Sequence, residues 1–322
     1  MTQIVVADIG GTHARFALAD IDNGKVVRLT PEITLKCAEY ASLQTAWEAF
    51  GAQIGVKLPN AGALALACPI QGDVLQMTNN PWIIRPALIA EKLGLERHIL
   101  VNDFEAVGHA VAHVGPEHLR HICGPEDALP ERGVISIVGP GTGLGVGAVL
   151  RAGGHNHVIA TEGGHTDFAP LDALEDKILA HQRQRYRRVS IERIVSGSGL
   201  ASIYAVLAEV EGRPPIYHDD KALWGAALAG TDSLAAAALD RFCLSLGAVA
   251  GDIALTQGGQ AVVIAGGLGA RLADRLALSG FAERFKAKGR FEALMARIPV
   301  KLITHPQPGL FGAAAAFASS MT

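Results

Sequence analysis

Three glycine-rich turns, each at the end of an apolar run, carry the backbone chemistry of this chain. The first is Asp8-Ile-Gly-Gly-Thr-His-Ala-Arg15, directly after IVVA. Glycines such as Gly10 and Gly11 tolerate unusual dihedrals and let backbone N–H groups come close to an anion. Thr12 adds a hydroxyl donor, Arg15 a guanidinium if it faces the same way, and Asp8 a carboxylate suited to a hydrated Mg2+. Taken alone, the stretch also fits a tight structural hairpin. GPGTGLG at 139–145 repeats the grammar with Thr142 and Gly143, and IAGGLG at 264–269 supplies Gly266 and Gly267 after another strand. Three such turns can surround one triphosphate, two over the phosphates and one near the nucleoside, which points to phosphoryl transfer.

The two better-known nucleotide motifs do not fit. A dinucleotide fingerprint needs GxGxxG leading into a helix, whereas Gly10-Gly11 leads into a second strand pattern, RFALAD. A Walker loop needs GK[ST], which every glycine cluster here lacks.

On the acceptor side, Asn102 and Asp103 end one strand pattern and precede a helix, a common place for functional polar residues in α/β domains. Asp103 has the chemistry of a general base for a hydroxyl attacking phosphorus, and Asn102 could orient that hydroxyl. Asp103 equally fits a cap for a helix beginning at Phe104, and spacing does not decide between the two. EGGHTDF at 162–168 sets Glu162 and His165 among glycines, without the further ligands a metal site needs. His155 and His157 read as part of a GGHNH hairpin turn.

These residues require an α/β scaffold. The pattern predicts strands at 4–8, 15–20, 61–70 and 97–103, with a third N-terminal strand starting in DNGKVVRL. Helices are predicted at 42–55 with Ser42 as cap, at about 86–94 and at 104–114. GVISIVGPGTGLGVGAVL then restarts the opening grammar, which suggests two related halves. Helices follow at 172–185, 190–194, 198–210, 219–228 and 232–255, then strands at 260–267 and 300–305 and the segment 309–320. The domain change is expected near residue 110.

The 322 residues are enough for two domains with a proper core, and 49% are apolar. With 28 Lys and Arg against 31 Asp and Glu, a formal charge of -3, there is no basic field for nucleic acid, and YRR at 186–188 reads as a solvated helix end. Cys37, Cys68, Cys123 and Cys243 form no CxxC, so neither zinc nor a disulfide framework is expected, and a reducing, cytoplasmic setting fits. The chain opens on a strand pattern, which argues against a secretory leader, and AGALALACPI and GLFGAAAAFA are too short to span a membrane.

At this level of detail the chain resembles the bacterial glucokinases, of the hexokinase group in the actin-like ATPase superfamily. DIGGTHAR matches that family's DxGGTNxR phosphate motif. ALACPI, MTNNPW, NDFEAV, GPGTGLG, EGGHTDFAP, ERIVSGSGL, IAGG and PGLFGAAA follow in the family order, from residue 4 to 318. His13 departs from the family, which usually has Asn there.

The resemblance implies a two-domain, ribonuclease H-like α/β fold with a central cleft: a smaller domain of 1–110 joined by a C-terminal helix at about 306–322, and a larger one of 111–305. It implies ATP and D-glucose as substrates, Mg2+ held through water by Asp8, glucose 6-phosphate as product and a homodimer. Asp103 becomes the base, with Asn79, Asn102, Glu162, His165 and Glu192 binding the sugar. Asp8, Gly10, Gly11, Thr12, Thr142 and Gly143 serve the phosphates, and adenine lies near 266–269 and the 308–312 turn. Carboxylates and a neutral imidazole suit a polyol because they accept hydrogen bonds at fixed positions. Asn80 and Trp82 fit a turn and core packing equally well. The other readings are a related kinase preferring mannose or fructose, and a non-catalytic nucleotide or sugar sensor. A sugar-responsive regulator is disfavoured, since no CxCGxxGC zinc motif or N-terminal DNA-binding helix pair is present.

Overall fold

The apolar run that opens the chain is a strand, β1 (Thr2–Ile9), covered on both faces. Val5, Ala7 and Ile9 share one core with Trp47, Phe50 and Leu64, while Ile4 and Val6 share another with Ala63, Ala106, Ala313 and Phe317. A strand sends alternate side chains to opposite faces, so burial on both sides reads as an unbroken hydrophobic run. The computed structural model describes residues 1–77 and 79–321. It divides into two units: Met1–Gly115 with Val158–Ala160 and the chain from His305, and Pro116–His157 with Thr161–Thr304.

In the first unit β1 pairs antiparallel with β2 (His13–Asp22), which carries β3 (Lys25–Leu29) and β4 (Ile33–Lys36). On its other side β1 runs parallel to β5 (Ala61–Leu66). A small ribbon, β6 (Leu75–Gln76) with β7 (Ile83–Ile84), comes before β8 (Arg97–Asn102), which pairs in parallel with β5. Helices α1 (Leu43–Ile54) and α2 (Pro86–Leu93) cover one face of the sheet. Ser42 caps α1 in a reciprocal box with Thr45, satisfying donors that a helix start otherwise leaves open. On the other face lie α3 (Asp103–His113) and the C-terminal helix (Pro308–Ser319). The domain change expected near 110 thus falls inside α3, which stays helical to His113.

The other sheet contains β9 (Leu119–Cys123), the hairpin strands β10 (Gly133–Pro140) and β11 (Leu144–Ala152), then β12 (His155–Thr161), β13 (Gly259–Ile264) and β14 (Val300–Ile303), all in the second unit but for Val158–Ala160 of β12. The sheet order is β12-β11-β10-β13-β14-β9. Omitting the outer β9, this is third-second-first-fourth-fifth, the order of β3-β2-β1-β5-β8 in the first unit. The recurrence in sequence is therefore a recurrence of topology, and the fold is the two-domain, ribonuclease H-like α/β type of the actin-like ATPases. His155 and His157 stand on β12 itself; the turn before it is made by Gly153 and Gly154, both left-handed.

The helices of this unit are α4 (Ala173–Arg183), α5 (Gly199–Val210), α6 (Asp220–Ala229) and α7 (Ser233–Gln257). Short helices α8 (Gly266–Arg271), α9 (Ala273–Leu276), α10 (Phe281–Lys286) and α11 (Glu292–Met295) follow β13. The helix expected at 190–194 is a single 3-10 turn, Ile191–Arg193. By length and composition α7 could cross a membrane, contrary to the expectation that no stretch qualifies, but 72% of its apolar window is buried within the protein. It is the core helix of this unit, packed with α5, α6 and α10.

Candidate active site

The first glycine turn joins β1 to β2, with Gly10 N–H donating to His13 O at 2.9 Å. Neither Gly10 nor Gly11 has a left-handed backbone, so the tolerance of unusual dihedrals that glycine offers is not used here. Packing does not require it at Gly10 either, since an added Cβ would come no nearer than 3.7 Å, to His13 O. Gly141 and Gly267 are alike: neither is left-handed, and an added Cβ would meet nothing within 4 Å. Glycine at these places leaves the backbone bare toward open space. Among the described residues the N–H groups of Gly11 and Thr12 have no acceptor, and Thr12 is exposed at the tip. The protein itself leaves such donors open to an anion.

Asp8 and Arg15 are directly opposite across β1 and β2, with Arg15 Nη1 3.3 Å from Asp8 Oδ2 and Arg15 Nε 3.9 Å from Glu32 Oε1. Arg15 is thus engaged by two carboxylates. Burial pushes the Asp8 carboxyl up, and the Arg15 charge and hydrogen bond oppose that shift. A half-buried carboxylate with one oxygen left over suits a hard divalent cation. No cluster of three metal-ligating side chains occurs among the described residues, so Asp8 would have to share Mg2+ with oxygens from water and phosphate.

At the start of α3, the cap is Asn102. Its Oδ1 accepts the N–H groups of Phe104 at 2.9 Å and Glu105 at 3.3 Å, while Glu105 Oε2 accepts the Asn102 N–H at 3.3 Å. Asn102 Nδ2 donates to Cys68 O at 3.1 Å. The amide expected to orient a hydroxyl thus also holds β8, α3 and the Cys68 turn together, using one of its two Nδ2 hydrogens. Capping by Asn102 relieves Asp103 of that task, and its Oδ1 accepts the adjacent Phe104 N–H at 2.9 Å. Burial first, and the Asp8 charge second, push the Asp103 carboxyl up to about 6. The pattern N-D-F-E already contains this capping box. Asn79 is exposed and left-handed at φ 60°, with no side-chain hydrogen bond among the described residues.

In the second unit Glu192 stands at the centre of the polar group. Its Oε2 accepts the Leu144 N–H at 2.9 Å, anchoring the far end of the GPGTGLG turn, and its Oε1 is 3.9 Å from His165 Nδ1. His165 Nε2 is 3.8 Å from Glu162 Oε2. Glu162, His165 and Glu192 therefore form one carboxylate-imidazole-carboxylate array, with one oxygen of Glu192 spent on the hairpin. Gly143 has a packing reason, since a Cβ there would fall 2.5 Å from Glu192 Oε2. Thr142 is exposed at the tip, and neither its N–H nor that of Gly143 has an acceptor among the described residues. Gly266 is left-handed, φ 78°, and a Cβ would come within 2.6 Å of Pro140 O, so its first duty is to let the β13 turn pass the hairpin.

A glucokinase family model matches residues 5–320. The chain belongs to the glucokinase family. Its family relatives include the glucokinase of Zymomonas mobilis, 62% identical over 317 residues and covering 98% of both chains. Another is the glucokinase of Paramagnetospirillum magneticum, 41% identical over 320 residues, covering 98% of this chain and 97% of the relative. The crystal structure of a glucokinase from an Antarctic psychrotroph superposes with a TM-score of 0.86 at 32% identity, over 98% of each chain.

Proposed function

We propose that this protein transfers the γ-phosphoryl group of ATP to the 6-hydroxyl of D-glucose. The observation that carries the reading is Asp103: relieved of capping by Asn102, half-buried, and raised to about 6 beside the charge of Asp8. A carboxylate in that range is largely ionised at neutral pH, yet basic enough to take a proton as it is lost.

In this reading Asp103 accepts the hydroxyl proton while the sugar oxygen bonds to the γ-phosphorus and the bond to the ADP oxygen breaks. Gly11, Thr12, Thr142 and Gly143 offer backbone N–H groups to the phosphate oxygens. Asp8 is the residue to hold Mg2+, which when bound offsets the charge on the β and γ oxygens. Asn79, Glu162, His165 and the free oxygen of Glu192 receive the sugar hydroxyls, and Asn102, while capping α3, offers the sugar its second Nδ2 hydrogen.

A coupled assay of ADP release, run with a panel of hexoses and with none, tests the proposal. Glucose is expected to give the highest kcat/KM. Equal ADP release with and without sugar would reject the transfer, and a higher kcat/KM for mannose or fructose would move the assignment to another hexose.

Glu162 and Glu192 separate by their partners. Glu162→Ala removes a neighbour of His165 alone and is expected to raise the KM for glucose with little change for ATP. Glu192→Ala also frees the Leu144 N–H, and a buried donor left unpaired costs about 1–3 kcal/mol. Its KM should therefore rise for both substrates. Titrating each substrate separately checks the split, and an unchanged KM for ATP in Glu192→Ala would remove the hairpin-anchoring role.

A further inference from the structure

We propose that Asn80 sets the direction of the Gly11 N–H by holding the Gly10–Gly11 peptide from the protein side, which makes it a positioning residue for the triphosphate. The inference rests on the reading of this hairpin as a phosphate site. Asn80 is buried, its Nδ2 donates to Gly10 O at 2.8 Å, and its Oδ1 accepts the Trp82 N–H at 2.9 Å. One neighbour offers only a donor and the other only an acceptor, so the two bonds together fix which way the amide faces.

The consequence follows from peptide geometry. The peptide is planar and trans, so the Gly10 carbonyl and the Gly11 N–H point in opposite directions. Pulling Gly10 O inward onto Asn80 turns the Gly11 N–H outward. A Gly-Gly peptide has no Cβ on either side to resist rotation, and is the kind of unit most easily turned over. Something must hold it if its N–H is to stay on one target. The rest of the tip is held in the same sense, since Cys37 N–H donates to Thr12 O at 2.9 Å and the Cys37 thiol lies 3.7 Å from Gly10 O.

The second hairpin supplies an independent comparison. There Gly141 O accepts the Gly197 N–H at 2.8 Å, and the next N–H, that of Thr142, is left without an acceptor among the described residues. The carbonyl of the first residue after the strand is thus pinned in both hairpins, by a side-chain amide in one unit and by a backbone N–H in the other. What recurs is the restraint on the peptide and not the residue that applies it.

Two substitutions distinguish a pin from an ordinary turn residue. Asn80→Asp keeps an acceptor for the Trp82 N–H but sets a carboxylate oxygen against Gly10 O. Turning the peptide over relieves that repulsion and brings the Gly11 N–H onto the new carboxylate, so the fold survives with its donor pointing inward. Asn80→Ala loses both bonds and leaves the peptide free to face either way.

Measured on the full chain by calorimetry with MgATP, affinity is expected to fall on the order of tenfold or more in Asn80→Asp and less in Asn80→Ala, the loss of one aligned donor. Thermal stability should rank the other way, with Asn80→Ala the less stable, and the KM for glucose should stay within about twofold of wild type in Asn80→Asp, because its Trp82 bond is kept. MgATP affinity that is unchanged in Asn80→Asp, or that follows the stability ranking, would overturn the proposal. If wild type binds MgATP but phosphorylates no hexose, the kinase reading fails while the affinity ranking still decides the role of Asn80. Were Asn80→Asp to unfold, the Gly11 amide resonance in 15N-glycine-labelled wild type would decide, since a resonance that MgATP does not shift leaves the pin without a purpose.

Discussion

Asp103→Asn is expected to lower kcat by about 10²–10⁴-fold, the usual worth of a positioned general base, and to make the protein more stable at neutral pH. Both effects follow from one feature. Burial and the neighbouring Asp8 charge raise the Asp103 carboxyl from its ordinary 3.8 to about 6, so the folded protein holds that proton more tightly than the unfolded chain does. The sign is the reverse of that for a salt-bridged carboxylate. Ionising Asp103 costs folding stability, and the cost grows from about pH 4 to about pH 6 and is fully present above that. Asparagine avoids the cost, for a gain on the order of 2 kcal/mol once the half-buried side chain's access to water is discounted.

Thermal or urea unfolding of both proteins at pH 4 and pH 8, without nucleotide, measures this. The variant should be the more stable at pH 8, with the difference largely gone at pH 4. Wild-type kcat/KM should fall as pH drops through about 6, as the base is protonated. Near-wild-type turnover in Asp103→Asn would reject the base assignment, and a variant less stable than wild type at pH 8 would reject the account of its environment.

The sequence carried this site unevenly, and the reasons are physical. Strand-turn-strand grammar was clear because β1 and β10 are buried on both faces and therefore read as apolar runs ending at glycines. Asp103 was visible as a candidate, but whether it capped α3 depended on the box with Glu105, a signal present in the sequence and outweighed there by the strand-end position. Asn102 was visible as a candidate beside the base, but its second task, holding the helix start and Cys68, depends on a contact thirty-four residues away that leaves no local pattern. Asn80 could not be resolved by pattern at all. Its partner, Gly10 O, is seventy residues earlier, and a contact at that separation leaves no periodic trace. The short helices between 273 and 295 were missed because segments of four to six residues are too brief to show a helical period.

Two glycines one turn apart on the C-terminal helix are expected to fail in different ways. At Gly312 a Cβ would fall 1.7 Å from Ala106 O and 2.5 Å from its carbonyl carbon, within α3. Backbone atoms in a helix cannot rotate aside, so Gly312→Ala must push the C-terminal helix away from α3. Overpacking costs about 1–3 kcal/mol or more, against a gain of roughly 0.5–1 kcal/mol from alanine's better helix propensity. The steric term wins, and Gly312→Ala should unfold at markedly lower temperature. At Gly309 the nearest atoms are Oδ2 of Asp8 at 2.7 Å and its Cγ at 2.8 Å. These belong to a side chain that can turn away, so Gly309→Ala should keep most of its stability and lose the placement of the carboxylate assigned to Mg2+. Its turnover should fall and become more dependent on added Mg2+, while its melting temperature stays near that of wild type. Melting curves and Mg2+ titrations of turnover for the two variants separate the outcomes: wild-type turnover at limiting Mg2+ in Gly309→Ala would show that Asp8 does not serve the metal, because the substitution crowds that carboxylate more closely than any other group.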